Sequence, residues 1–181
     1  MKRHLAISTV VGVLSLLAAG CATAPSSDAA RTRLSDDATA ALKQTKEADV
    51  SLDQVLRTSS GFAVFPKVGK GGAIVGGSYG RGAVYAGNAL IGYADITQAT
   101  IGLQAGGQEF REILVFESPA DLDRFKAGKL ALAANASAVA LKSGSAKSAK
   151  YSDGVAIFVQ PIDGLMVEAA VGSQQFTYEP R

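Results

Sequence analysis

The pentapeptide Gly76-Gly77-Ser78-Tyr79-Gly80 has the G-x-S-x-G spacing that presents a nucleophilic serine in many hydrolases. A serine attacks only when a base removes its proton, and the only histidine in 181 residues is His4. No S-x-x-K pair offers a lysine in its place. Metal chemistry is similarly short of ligands. The single cysteine is Cys21, so beyond the first 21 residues only carboxylates and carbonyls remain, and no EF-hand spacing occurs. Glu109 and Glu112 are the nearest approach to an acid/base pair. Their odd spacing sets them on opposite faces of a strand, and a solvated strand edge is expected. Neither G-x-x-x-x-G-K-[ST] nor G-x-G-x-x-G is present, although glycine is abundant. These residues predict a protein without catalysis, cofactor or metal.

What the chain does offer is basic side chains among glycines. The run Phe65-Pro66-Lys67-Val68-Gly69-Lys70-Gly71-Gly72 sets two lysines in an expected turn between strands. Exposed backbone N–H groups there can join them around an anion. Arg81 lies in the next expected turn, Tyr79-Gly80-Arg81-Gly82, and Lys142, Lys147 and Lys150 decorate a Ser/Gly loop ending at Tyr151. The alternative role of loop lysines is to solvate a turn. Near an anionic membrane, however, each basic residue adds about 1 kcal/mol. Lys67 and Lys70 are the expected phosphate ligands, with Arg81, Lys142, Lys147 and Lys150 as supporting charge. Phe65 is expected in the core, its alternative being a membrane-dipping side chain.

The first residues set the compartment. Lys2 and Arg3 precede an apolar stretch, residues 5–19, of the length of a secretory signal and too short for a membrane span, which needs about 20 apolar residues. The sequence Leu17-Ala18-Ala19-Gly20-Cys21 resembles the bacterial lipobox, in which the cysteine becomes the acylated N-terminus. Burial of acyl chains is worth about 0.8 kcal/mol per CH₂ and would hold the protein on a membrane. Ala22 after the cysteine implies the outer membrane, with the domain in the periplasm or facing outward. Removal of Lys2 and Arg3 lowers the net charge from +2 to zero, so bulk charge predicts no nucleic-acid partner. The expected organisation is a signal peptide at 1–20, an acylated N-terminus and tether at 21–30, and one domain at 31–181.

Within that domain the patterning predicts an α+β fold: a strongly curved, glycine-rich, largely antiparallel, barrel-like sheet with a few short helices. Helices are expected at 31–49 and, behind the capping box of Ser51 and Gln54, through Leu52, Val55 and Leu56. Residues 61–107 hold 13 glycines among Val, Ile, Phe and Tyr, which favour strands. Strands are expected at 61–65, 73–79, 83–86, 100–106 and 109–116. Ser118-Pro119-Ala120-Asp121 starts a helix that Gly128 ends. Residues 129–141 are expected as a strand, and 155–160 and 165–171 as a hairpin across Asp163-Gly164.

The run GFAVFPKVGKGGAIVGGSYGRGAVY (residues 61–85), with Gly92-Tyr93, IGLQAGG (101–107), ILVF (113–116), SPADLDRF (118–125), GLMVEAAV (164–171) and Tyr178, resembles the SYLF domain over about residues 48–178. Eukaryotic members bind phosphoinositides and other anionic lipids, and some bind actin and carry Src-homology adaptor domains. No adaptor domain accompanies the motif in these 181 residues, and the expected compartment has no actin. The resemblance therefore implies membrane phospholipid as the partner. The alternative is a structural or interaction protein that bridges the outer membrane to an envelope protein through exposed strand edges.

Overall fold

Strand formation needs only an extended backbone and a paired neighbour, and glycine can meet both demands. In the computed structural model, described residues are Pro25, 27–133 and 138–181, with the backbone alone at 103–104, 131–133 and 165–172. Three long strands replace the five short ones expected between residues 61 and 116: β1 (Gly61–Gly72), β2 (Val75–Ala86) and β3 (Ala89–Phe116). Ladder hydrogen bonds carry the chain through its glycines. At Gly82 the lack of a side chain is required, because a Cβ would stand 2.7 Å from both the Phe65 ring and the Val64 carbonyl oxygen.

Register defines the shape. β1 and β2 form an antiparallel hairpin. β2 pairs antiparallel with residues 89–101 of β3, and β1 pairs antiparallel with residues 106–116. The two halves of β3 therefore run in opposite senses, and the strand passes round the hairpin tip at 102–105. Gly102 and Gly106, with φ of +149° and +112°, sit at that bend. The final strand, β6 (Val155–Pro180), is antiparallel to β3 from Gly92 to Phe116 and repeats the bend outside it. The expected hairpin at Asp163-Gly164 is therefore not formed. Residues 155–160 and 165–171 are successive parts of one strand, each pairing with β3, and Gly164 (φ +88°) follows an irregularity opposite Glu109 and Phe110.

Two short strands pair with β6: β4 (Ala131–Ala133), antiparallel at residues 173–175, and β5 (Ala138–Ala140), parallel at 157–159. They stand where a single strand was expected at 129–141; residues 129, 130 and 141 are not strand, and 134–137 lie outside the described residues. The fold is α+β, with a six-stranded, mostly antiparallel sheet that does not close, and three α-helices among the described residues.

Helix α1 (Asp28–Ala48) buries Ala38, Ala41 and Thr45, and α2 (Leu52–Thr58) buries Leu52 and Leu56. Ala38, Ala41, Leu52 and Leu56 make one hydrophobic cluster with Phe62, Val64, Ile113, Val115 and Phe158. The alternate residues Ala63, Phe65, Leu114 and Phe116 face the other way and join Phe125 of α3 (Pro119–Lys126) and Phe176 of β6 in a second. Phe65 is thus a core residue. Ser118 and Asp121 form the capping box of α3, with Gly128 (φ +65°) beyond its end. At α2 the expected capping box is absent, because Ser51 has helical dihedrals and makes no side-chain cap. Among the described residues no helix is long and apolar enough to cross a membrane.

Asp49 takes over at that junction. It is 1 % exposed and accepts from Ser51 N and Oγ at 3.0 and 2.6 Å, Gly144 N at 3.1 Å, Ser145 Oγ at 3.0 Å and Ala146 N at 2.7 Å. Burial alone would raise its pKa, but the bonds from Ser51, Ala146 and Ser145 hold the carboxyl well below the usual range. Asp49→Ala is expected to cost about 2–4 kcal/mol, because buried donors lose their acceptor. A depressed carboxylate stabilises the fold above its unfolded pKa, and that stability is lost as pH falls toward the folded pKa. The gap between wild type and variant in urea titrations should therefore narrow from pH 7 to pH 3. An unchanged gap would assign the loss to packing alone.

Candidate functional site

Strand pairing positions the basic residues of the β1–β2 hairpin. Lys67 and Arg81 are Cα partners across the ladder, so their side chains leave the same face. Lys67 Nζ lies 2.8 Å from Glu109 Oε1. Arg81 Nε donates to Tyr79 Oη at 2.7 Å and stands 3.7 Å from Asp95 Oδ1, with its guanidinium 5.9 Å from the Tyr79 ring centroid. Asp95 is itself buried. Burial pushes its carboxyl up to about 6, against the opposing attraction of Arg81.

The expected glycine-rich turn around Lys67 and Lys70 is strand instead, and the hairpin turn is Ala73-Ile74. Arg81, expected in a turn, is also in mid-strand. An odd spacing along a strand sends Lys67 and Lys70 to opposite faces. Val68, on the Lys70 side, is fully buried, while Lys70 lies opposite Ser78 on β2 and Gln108 on β3. The two lysines therefore do not converge on one anion.

Lys142, Lys147 and Lys150 are exposed and belong to a separate place. Their loop is fastened to the α1–α2 junction by the Asp49 bonds from Gly144, Ser145 and Ala146. The structure thus brings Lys67 and Arg81 together and sets the other three beside the helices. Cys21, the expected lipid attachment point, and the expected signal at 1–20 lie outside the described residues.

Sequence reasoning missed an internal polar seam. Glu109 and Glu112 do occupy opposite faces, but Glu112 is no solvated edge, because it is 1 % exposed. Its Oε2 accepts from Gln174 Nε2 at 3.1 Å, and its Oε1 has no hydrogen-bond partner. Ser78 Oγ, also buried, donates to Gln98 Oε1 at 2.9 Å, and Gln98 is the Cα partner of Gln174. An amide is no base, and Ser78 stands in mid-strand and not on a strand-to-helix elbow. The G-x-S-x-G match therefore lacks the geometry of a hydrolase nucleophile. One signal for Glu112 was legible: it shares strand parity with Phe110, Leu114 and Phe116, a charge in an apolar row.

Burial pushes the Glu112 carboxyl up to about 7, opposed by the Gln174 bond and the charge of Lys70. Between about pH 4.5 and 7 the unfolded chain releases this proton while the folded chain keeps it, so stability falls as pH rises. Glu112→Gln should remove that slope, matching wild type near pH 4 and exceeding it at pH 8 by roughly 3 kcal/mol. Asp95 leaves a smaller slope at lower pH in both proteins. Chemical denaturation from pH 4 to 8 checks this, and parallel curves would contradict it.

No family model and no curated protein matches the chain.

Proposed function

We propose that the chain is a membrane-anchored envelope lipoprotein whose single domain binds phospholipid through anionic headgroups, without catalysis or cofactor. The observation that carries this reading is the shared face of Lys67 and Arg81 on the β1–β2 hairpin. Residues 54–94 contain Arg57, Lys67, Lys70 and Arg81 and no acid, and the carboxylates that meet Lys67 and Arg81 come from β3. The Lys67–Glu109 pair is exposed, and such pairs are worth only about 0–1 kcal/mol. A lipid phosphate can displace Glu109 at little cost. Lys142, Lys147 and Lys150 form a second exposed basic group, and Lys70 adds charge on the inner side of the hairpin.

The anchor in this reading is Cys21, and the location is the outer membrane with the domain in the periplasm or facing outward. The SYLF resemblance and the lipobox-like leader support it. They favour neither actin nor nucleic acid as a partner. We read the sheet as strongly curved, glycine-rich and barrel-like. Supporting this are the bends of β3 and β6 round the hairpin tip and the Glu112–Gln174 bond, which joins residues that are not ladder partners.

A second reading, a bridge to an envelope protein, draws on one feature. Along its outer edge β6 pairs only with β4 at 173–175 and β5 at 157–159 among the described residues, so an intervening stretch can accept a partner strand. Cross-linking that recovers one stoichiometric protein, with no vesicle affinity, would favour the bridge.

Flotation of the chain beginning at Ala22, after circular dichroism has confirmed its fold, tests the lipid reading. It is expected to bind phosphatidylglycerol-containing vesicles and to leave phosphatidylcholine vesicles unbound, with affinity falling as salt rises. Lys67→Glu should weaken binding about tenfold, and Lys147→Glu reports the share of the second group. Absence from both kinds of vesicle would end the reading.

A further inference from the structure

The apolar surface of the hairpin is gathered at its tip. Ile74 is 70 %, Val75 68 % and Ile101 67 % exposed. Val75 and Ile101 are Cα partners, and Gly102 N donates to the Ile74 carbonyl at 3.0 Å. Three branched side chains, from the hairpin turn, β2 and β3, therefore project from one rim. Their neighbours on the hairpin are Gly71, Gly72, Gly76 and Gly77, which have no side chains to cover them. The backbone of the hairpin tip itself is paired on both sides, while the unpaired outer edge of β6 lies beyond it, outside β3.

Polarity is graded behind the tip along one face. Val75, Tyr79 and Arg81 share that face by their even spacing, and Tyr79 is partly exposed. At about 3.3 Å per residue, Tyr79 stands about 13 Å and Arg81 about 20 Å behind Val75. Lys67 lies level with Arg81. Half a bilayer's hydrocarbon core is about 15 Å deep, tyrosine favours the interface, and cations favour the phosphates beyond. The order on the hairpin follows the order in a leaflet. Asp95 is the Cα partner of Arg81 and Glu109 that of Gly69, so these acids lie level with the cations, behind the tip.

We propose that the β1–β2 tip inserts into the acyl region of an anionic phospholipid leaflet. Ile74, Val75 and Ile101 are the inserted side chains, Tyr79 lies at the interface, and Lys67 and Arg81 stand at phosphate level. This rests on the phospholipid reading above and adds which surface enters and how deeply. A second copy of the chain or a protein partner would cover the same trio, but neither calls for the graded order behind it.

The full chain carrying Cys21→Ser, which removes its only cysteine, receives one new cysteine, by Ile74→Cys or by Ser148→Cys in the exposed lysine loop. Each is labelled with a polarity-sensitive fluorophore and mixed with phosphatidylglycerol/phosphatidylethanolamine vesicles containing lipids brominated at known depths. The Ile74 label is expected to shift to the blue and to be quenched by acyl-chain bromines, while the Ser148 label stays aqueous. Val75→Ser with Ile101→Ser should weaken vesicle partition of the Ala22 chain about tenfold and leave its melting curve unchanged. An aqueous Ile74 label on vesicles overturns the tip assignment, and flotation of the Ala22 chain then decides the phospholipid reading separately. A blue shift that grows with protein concentration in the absence of vesicles assigns the tip to self-association and overturns insertion.

Discussion

Backbone pairing between β3 and β6 organises the molecule. The ladder runs from Gly92 opposite Pro180 to Phe116 opposite Val155, with one irregularity beside Glu109. Because β3 also pairs with β2 along one half and β1 along the other, this ladder must turn round the hairpin tip. Each layer constrains the next: the hairpin directs the bend of β3, and β3 directs the bend of β6. Glycines tolerate the backbone angles of those bends. Side-chain parity along the same strands then divides the apolar residues between two clusters, one closed by α1 and α2 and the other by α3.

The interior does not consist only of hydrocarbon. Glu112, Gln174, Gln98 and Ser78 are linked through two side-chain bonds and one ladder pair. A buried carboxylate with an unpartnered oxygen is costly, and the site lowers that cost by favouring the protonated acid. Asp49 solves the opposite problem. Its carboxylate is also buried, yet neighbouring donors surround it, so it stays charged and ties residues 144–146 to the helices. Two buried acids thus respond in opposite directions to pH, according to the donors around them.

The two basic groups occupy distinct settings as a consequence. Lys67 and Arg81 are held by cross-strand pairing, with acids from β3 beside them. Lys142, Lys147 and Lys150 ride on the loop that Asp49 fastens. Between the hairpin cations and the apolar tip lie mostly glycines and small side chains. A membrane-facing reading places these surfaces in one scheme: cations for headgroups, Tyr79 for the interface, and the tip for the acyl region.

Much was legible without coordinates. The α+β class, the strand character of 61–65 and 109–116, and the capped helix at Ser118 follow from local physics, because strand propensity and helix capping act over a few residues. The confinement of His4 and Cys21 to the first 21 residues was also readable, and with it the lack of any other histidine to serve Ser78 as a base. What local patterns could not settle was where each strand ended. Glycine runs read as breaks because intrinsic propensity disfavours them, but ladders between distant segments override propensity. The same long-range pairing separated Lys67 from Lys70, buried Glu112 and bent β6 where Asp163-Gly164 suggested a hairpin. Sequence by itself determined the residue types and their faces. Tertiary structure alone decided which faces met, because strand pairing depends on partners tens of residues away.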